Sequence, residues 1–222
     1  MAANVVRSDA SSTEVALDFE SYRSFVVVFA KNSTAPSQPQ LADGELIDLN
    51  SDWTVKYGSA MPTTLSKLKS WADDEATRHF SGEATYERNI DITDAFLRNG
   101  KAVVLDFGES VLLPEQNLRN GMRTWLEPPI REAAVIYING ERAGSLWSPP
   151  YRLDVSSMLK MGENKIKVVV GNTALNYMAG RRLPDYKLLN LRYGERFQPQ
   201  EMEKIQVLPS GLTGNVRLVK LN

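Results

Sequence analysis

At 222 residues, with 42% apolar and 24% charged side chains and a formal net charge of −1, the chain has the make-up of a globular protein able to bury a sizeable core. The near-neutral balance argues against a nucleic-acid partner, which calls for a basic excess, and against an anionic membrane surface. With no cysteine, disulfides, thiolate nucleophiles and cysteine metal sites are excluded. No stretch is long and apolar enough to span a bilayer, and Met1 to Ala10 lacks the apolar centre of a signal peptide.

Residues 1–12 are small, polar and unpatterned, and read as a frayed lead-in. Glu14 to Phe19 alternates and Phe25 to Phe29 is an apolar run, so two strands are expected to pair across residues 20–24. Asn32 to Gln40 is rich in Pro, Ser and Gln and reads as a linker. Residues 1–44 are therefore expected to close a preceding domain, and residues 45–222 to form a β-sandwich. Glu45 to Leu49 and Trp53 to Tyr57 read as a hairpin across Asn50-Ser51-Asp52. Leu65, Leu68 and Trp71 have helical spacing, and Asp73-Asp74-Glu75 reads as a solvated loop. Glu83 to Asp91 alternates, Thr93 to Leu97 makes a helical turn ended by Asn99-Gly100, and Ala102 to Gly108 reads as a buried strand. Glu109 to Pro129 reads as an insertion loop.

The stretch from Ala134 to Asn172 organises the rest. Val135 to Ile138 is apolar and β-branched and stops at Asn139-Gly140, two residues that tolerate the positive φ of a type I′ hairpin turn, so Glu141 to Leu146 is expected to fold back on it. Pro149-Pro150 forbids helix and ladder donation, Tyr151 to Val155 alternates again, and Ser156 to Lys160 makes a helical turn closed by Gly162. Lys165 to Val170 is a further strand. Arg181 to Gln200, carrying Arg181, Arg182, Arg192 and Arg196 among Tyr186, Tyr193 and Phe197, reads as a long irregular loop, of the size that is commonly functional. Lys204 to Leu208 and Asn215 to Leu221 read as the last strands. Many short strands with frequent turns and only brief helices predict an all-β fold, an antiparallel sandwich.

Three groups of residues resemble a known family: Trp71 with His79 to Arg88; Ile138-Asn139-Gly140 with Gly144 to Tyr151; and Leu159 to Asn164 with Asn172-Thr173. Together they resemble the C-terminal β-sandwich, sugar-binding-like region of α-L-rhamnosidases of glycoside hydrolase family 106. The Ser24 to Phe29 and Pro209 to Leu218 flanks also fit. Several of these elements are shared with sandwich domains of β-galactosidase-like enzymes. The resemblance covers nearly the whole chain and implies a jelly-roll-like, galactose-binding-domain-like sandwich with an N-terminal hairpin from a preceding domain. It also implies that the catalytic carboxylates lie on an upstream barrel domain which this chain does not contain, and that the parent enzyme is a periplasmic or secreted bacterial protein. The expected role is then a non-catalytic accessory domain whose partners are that barrel and its carbohydrate. An autonomous carbohydrate-binding module for plant cell-wall or pectic glycans is the rival reading.

The residues themselves bear on both. Gly82, Gly140, Gly144 and Gly162 read as turn positions. Trp147, beside two prolines, reads as a plug or, with Trp125, as a ring that could stack on a sugar. Tyr86 and Arg88 share one strand face, where the guanidinium is expected to meet a carboxylate or carbonyl. His79 is the only histidine, which rules out histidine zinc clusters and leaves this residue a structural reading. No pair of acids is singled out for glycoside hydrolysis. No cofactor is expected; the one cation reading is a structural calcium at Asp48-x-Asn50-x-Asp52, where Trp53 stands in place of the required glycine and no glutamate occupies the twelfth position. The carbohydrate or interface candidates are Trp147, Tyr151, Asn172, Asn176, Tyr177, Arg181 and Arg182: an asparagine leaving a valine-rich strand can fix the departing loop, and the residues beyond it supply donors and an aromatic face.

Overall fold

The computed structural model describes residues 4–9, 11–17, 27, 45–98, 102–113, 126–196 and 204–221. The expected 25–29 strand apart from Val27, the 32–40 linker and Trp125 lie outside them. In chain order the strands are β1 Asn4–Ser8, β2 Thr13–Ala16, β3 Leu46–Asp48, β4 Trp53–Tyr57, β5 Thr63–Leu65 and β6 Glu83–Ile92; after helix α1, Asp94–Leu97, come β7 Val103–Asp106, β8 Val111–Leu112, β9 Leu126–Glu127, β10 Ile130–Arg131, β11 Ala133–Ile138, β12 Glu141–Leu146, β13 Arg152–Asp154 and β14 Gly162–Gly171. Helices α2, Leu175–Ala179, and α3, Lys187–Tyr193, precede β15 Gly211–Leu212 and β16 Arg217–Lys220.

Two antiparallel sheets make an all-β sandwich: six strands in the order β12-β11-β14-β6-β4-β5 and four in the order β13-β7-β16-β3. Alternation decides which side chains face inward. On β6 these are Ala84, Tyr86, Ile90 and Ile92; on β11, Ala134, Ile136 and Ile138; on β14, Ile166, Val168 and Val170. They meet Val103, Leu105 and Leu218 of the opposing sheet in one core. Strand β7 is buried on both faces, because Val104 packs outward with Val219 and Leu221 in a second, small cluster.

The central hairpin forms as expected, with Asn139 at φ +53° and Gly140 at φ +90°. Its amide holds the turn: Asn139 Nδ2 donates to Met158 O and to Asn164 Oδ1, each at 2.9 Å, while Lys165 N donates to Asn139 Oδ1 at 3.0 Å. Asn164, wholly buried, is satisfied in turn by Lys160 N, Lys160 O and Gly162 O. Two asparagines thus seal one end of the sandwich.

Several expectations give way. Residues 4–8 are not frayed: β1 pairs with β2 around a turn in which Asp9 Oδ1 accepts from Ser11 N and Ser12 N at 2.8 Å. β3 and β4 are no hairpin, since β3 pairs with β16 and β4 with β5 and β6. Leu49 and Trp53 are both fully buried, so residues 50–52 carry the chain from one sheet to the other; Asp52 takes φ +59°, and Trp53 Nε1 donates to Leu49 O at 2.6 Å. The spacing of Leu65, Leu68 and Trp71 is no helix: Thr63–Leu65 is edge strand β5, and only a 3₁₀ turn forms at Trp71–Asp73, started by Ser70 Oγ accepting from Ala72 N. The insertion loop is pinched where β8 pairs with β9. Residues 204–208 form no strand, and the irregular 181–200 stretch contains α3. Gly144 is no turn either; it lies within β12, where an added Cβ would come within 3.0 Å of the Leu153 side chain.

Candidate functional site

Six-stranded-sheet strand β14 ends at Gly171, and Asn172 begins a polar network at that end of the sandwich. Gly82 N donates to Asn172 Oδ1 at 2.9 Å, and Asn172 Nδ2 donates to Phe80 O at 3.0 Å and to Ser210 Oγ at 3.2 Å. One turn of helix later, Asn176 is 2% exposed. Its Oδ1 accepts from Leu208 N and its Nδ2 donates to Leu208 O, both at 2.8 Å, with Ser210 Oγ 2.9 Å from the same Nδ2. The side-chain amide behaves as a strand partner would, closing the chain between residues 176 and 208 into a loop with a fixed base. Ser210 N donates to Ser70 Oγ, and Trp71 N donates to Ser210 O.

Below the network lies an aromatic cluster. Trp71 Nε1 donates to Tyr86 Oη at 2.6 Å, and Tyr57, Trp71 and Phe80 meet edge to face with centroids 5.4–5.6 Å apart. Burial pushes the Tyr86 phenol well above its ordinary range, although the Trp71 indole bond opposes this. His79 has the expected structural place: Asn176 O can only accept, so His79 Nδ1, 3.2 Å away, carries the proton. Arg88 Nη1 donates to a carbonyl, Ser51 O, at 2.6 Å, as its strand position predicts.

The structure therefore divides the seven candidates. Asn172 and Asn176 face inward and spend their donors and acceptors on backbone. Tyr177, Arg181 and Arg182 are exposed on the loop that those asparagines close, with the Arg181 guanidinium 4.2 Å over the Tyr177 ring. Among the described residues no carboxylate pairs with Arg181 or Arg182. Trp147 and Tyr151 belong elsewhere, on the segment between edge strand β12 and β13. Trp147 is 74% exposed, so it is no core plug, whereas Tyr151 is buried, which raises its phenol pKa against a bond from the Ser110 side chain. Arg131 is buried close by in charge terms, 3.6 Å from Glu127 and 3.7 Å from Glu132, and its Nε has no hydrogen-bond partner among the described residues.

Sequence reasoning missed Ser70, Leu208 and Ser210 as members of the network. A hydroxyl directly before Trp71 was the available cue for Ser70, whereas nothing local marks Leu208, which enters through its backbone. At Asp48-x-Asn50-x-Asp52 the side chains serve the sheet crossing: Asn50 N donates to Asp48 Oδ1, and Val216 N donates to Asn50 Oδ1. Among the described residues no three acidic or histidine side chains gather in a group that could hold a metal ion.

Fold and geometry together define an antiparallel β-sandwich domain with a clamped loop at one end. No family model matches the sequence. The chain is 26% identical over 203 residues to a protein of Formosa agariphila named "Putative beta-glucuronidase", an alignment taking in 78% of this chain and 15% of that protein. In fold it is similar to the rhamnosidase of Novosphingobium sp. PP1Y, with 24% identity and a TM-score of 0.55 over 84% of this chain and 16% of the other. A β-glucuronidase of Bifidobacterium dentium shares the fold at 17% identity and a TM-score of 0.51, over 81% of this chain and 30% of its own. The chain thus spans a domain-sized part, 15–30%, of these larger proteins.

Proposed function

We propose that this chain is a non-catalytic accessory β-sandwich of a glycoside hydrolase, of the α-L-rhamnosidase type, that supports a catalytic barrel and its carbohydrate cleft. One observation carries this reading: 78% of the chain aligns with a small fraction of a much longer protein bearing a glucuronidase name, and the sandwich has the fold of a part of a rhamnosidase. The polar clusters agree with a supporting role, because Asn172, Asn176 and Ser210 are consumed in holding backbone together and present nothing to a substrate. The test is hydrolysis by the purified chain. It should leave aryl α-L-rhamnosides and aryl β-glucuronides intact, and turnover at ordinary enzyme rates, about 1–1,000 per second, would overturn the assignment.

A carbohydrate-binding module is the second reading, favoured by the exposed Trp147 ring. Calorimetry with rhamnose-containing pectic oligosaccharides separates the two: a supporting domain gives no saturable heat, whereas a module gives heat that Trp147→Ala abolishes.

A further inference from the structure

The loop closed by Asn176 and Leu208 is built in a way its own domain does not explain. Its base is fixed by three hydrogen bonds from one amide, yet its helix α3, Lys187-Leu-Leu-Asn-Leu-Arg-Tyr193, has no buried residue. Leu188 is 81% and Leu191 76% exposed, and Leu183, Leu189 and Tyr193 are exposed beside them. A soluble surface tolerates single leucines, but a group of five large apolar side chains on one short excursion marks an interaction site. The stretch from Ala174 to Arg196 also carries Arg181, Arg182, Lys187, Arg192 and Arg196 against only Asp185 and Glu195, in a chain whose net charge is −1. Arg181 and Arg192 are held over Tyr177 and Tyr193, 4.2 and 5.2 Å from the ring centroids. The arm therefore combines an apolar tip, a cationic rim and a rigid root.

Resting on the accessory-domain reading, we propose that residues 177–196 are a docking arm: Leu188 and Leu191 enter an apolar hollow on the catalytic domain of the same enzyme, and the surrounding arginines pair with carboxylates on the rim of that hollow. The charge pattern favours this occupant over a second copy, since two copies meeting through their arms would bring like charges together. It also favours protein over a neutral glycan, which offers no counter-charge for four arginines and no flat apolar surface for leucine tips. Guanidinium groups suit such a rim because they form two-pronged bonds with carboxylates.

Hydrogen exchange of the amides of residues 187–193 tests the arm, measured in this chain alone and in the intact parent polypeptide. In the parent, exchange should slow at least about tenfold relative to the isolated chain, the fold-change that about 1.4 kcal/mol of added protection produces. L188D/L191D in the parent should restore the fast rate, and R181E/R182E, which spares the leucines, should restore much of it. In the isolated chain both double variants should keep the wild-type denaturation midpoint, which separates lost docking from lost folding. Equal exchange rates in chain and parent would overturn the proposal, as would concentration-dependent dimerisation of the isolated chain that L188D/L191D abolishes. Hydrolysis by the isolated chain would instead sink the accessory reading itself, whatever the exchange pattern.

Discussion

Asn176→Ala tests whether one side chain holds the loop base. The substitution removes a donor shared by Leu208 O and Ser210 Oγ and the acceptor for Leu208 N. At 2% exposure the position admits little water to replace them. A buried donor or acceptor left unpaired costs about 1–3 kcal/mol, and the Ser210 hydroxyl keeps a second partner in Asn172, so the loss is set mainly by the two Leu208 groups. That gives about 3 kcal/mol, or a fall of about 6–12 °C in Tm for a domain of this size. Calorimetry supplies the Tm, and urea denaturation supplies the free energy. Hydrogen exchange should locate the change at residue 208 and leave the β6–β14 ladder as protected as before, apart from the global loss. A Tm change under about 1 °C would refute the reasoning, since it would mean that the amide bonds contribute nothing beyond what water provides.

Three further outcomes follow from the same geometry. Gly211→Ala should destabilise by more than about 3 kcal/mol in urea denaturation, because φ is +91° and the new Cβ would lie 2.3 Å from Trp71 Nε1 and 2.7 Å from Tyr86 Oη. Stability should fall as pH rises above about 10, the ordinary tyrosine value, because burial raises the folded Tyr86 phenol and favours its neutral form; the contribution is complete below that pH and is lost towards the folded pKa. Tyr86→Phe should flatten that alkaline limb in pH-dependent denaturation scans. Asn139→Ala removes three bonds from the hairpin turn and places a residue without a polar side chain at φ +53°, so a loss of about 2–4 kcal/mol is expected, checked by thermal denaturation.

The fold was legible where a local rule has a unique structural reading. Asn139-Gly140 admits a primed turn and little else, and the alternation along β14 places Ile166, Val168 and Val170 inward. The misreadings share a different cause. Asn50-Ser51-Asp52 has the composition of a hairpin turn; what sends β3 and β4 to separate sheets is that Leu49 and Trp53 must both reach the core, and the partner of β3 is found far along the chain, in β16. Leu65, Leu68 and Trp71 keep helical spacing, but an open edge beside β4 rewards an extended Thr63–Leu65 more than an isolated short helix rewards itself.

Of the candidate site, the grouping of residues along one stretch of chain was legible, and the direction in which each side chain faces was not, for a related reason. Sequence places Asn172, Asn176, Tyr177, Arg181 and Arg182 together because they are neighbours along the chain, and an asparagine looks the same whether its amide faces a ligand or a peptide. Geometry separates them. Asn172 reaches back about 90 residues to Phe80 and Gly82, and Asn176 reaches forward 32 to Leu208, so both are anchors for three chain segments that pass the same end of the sandwich. Such anchors fix the loop root, and the exposed leucines of α3 lie beyond it. A domain that ordered this loop for its own stability would bury those leucines against its own sheets. That they stand outward, behind a clamped base and beside arginines that meet no carboxylate among the described residues, is the pattern of a surface shaped for another surface.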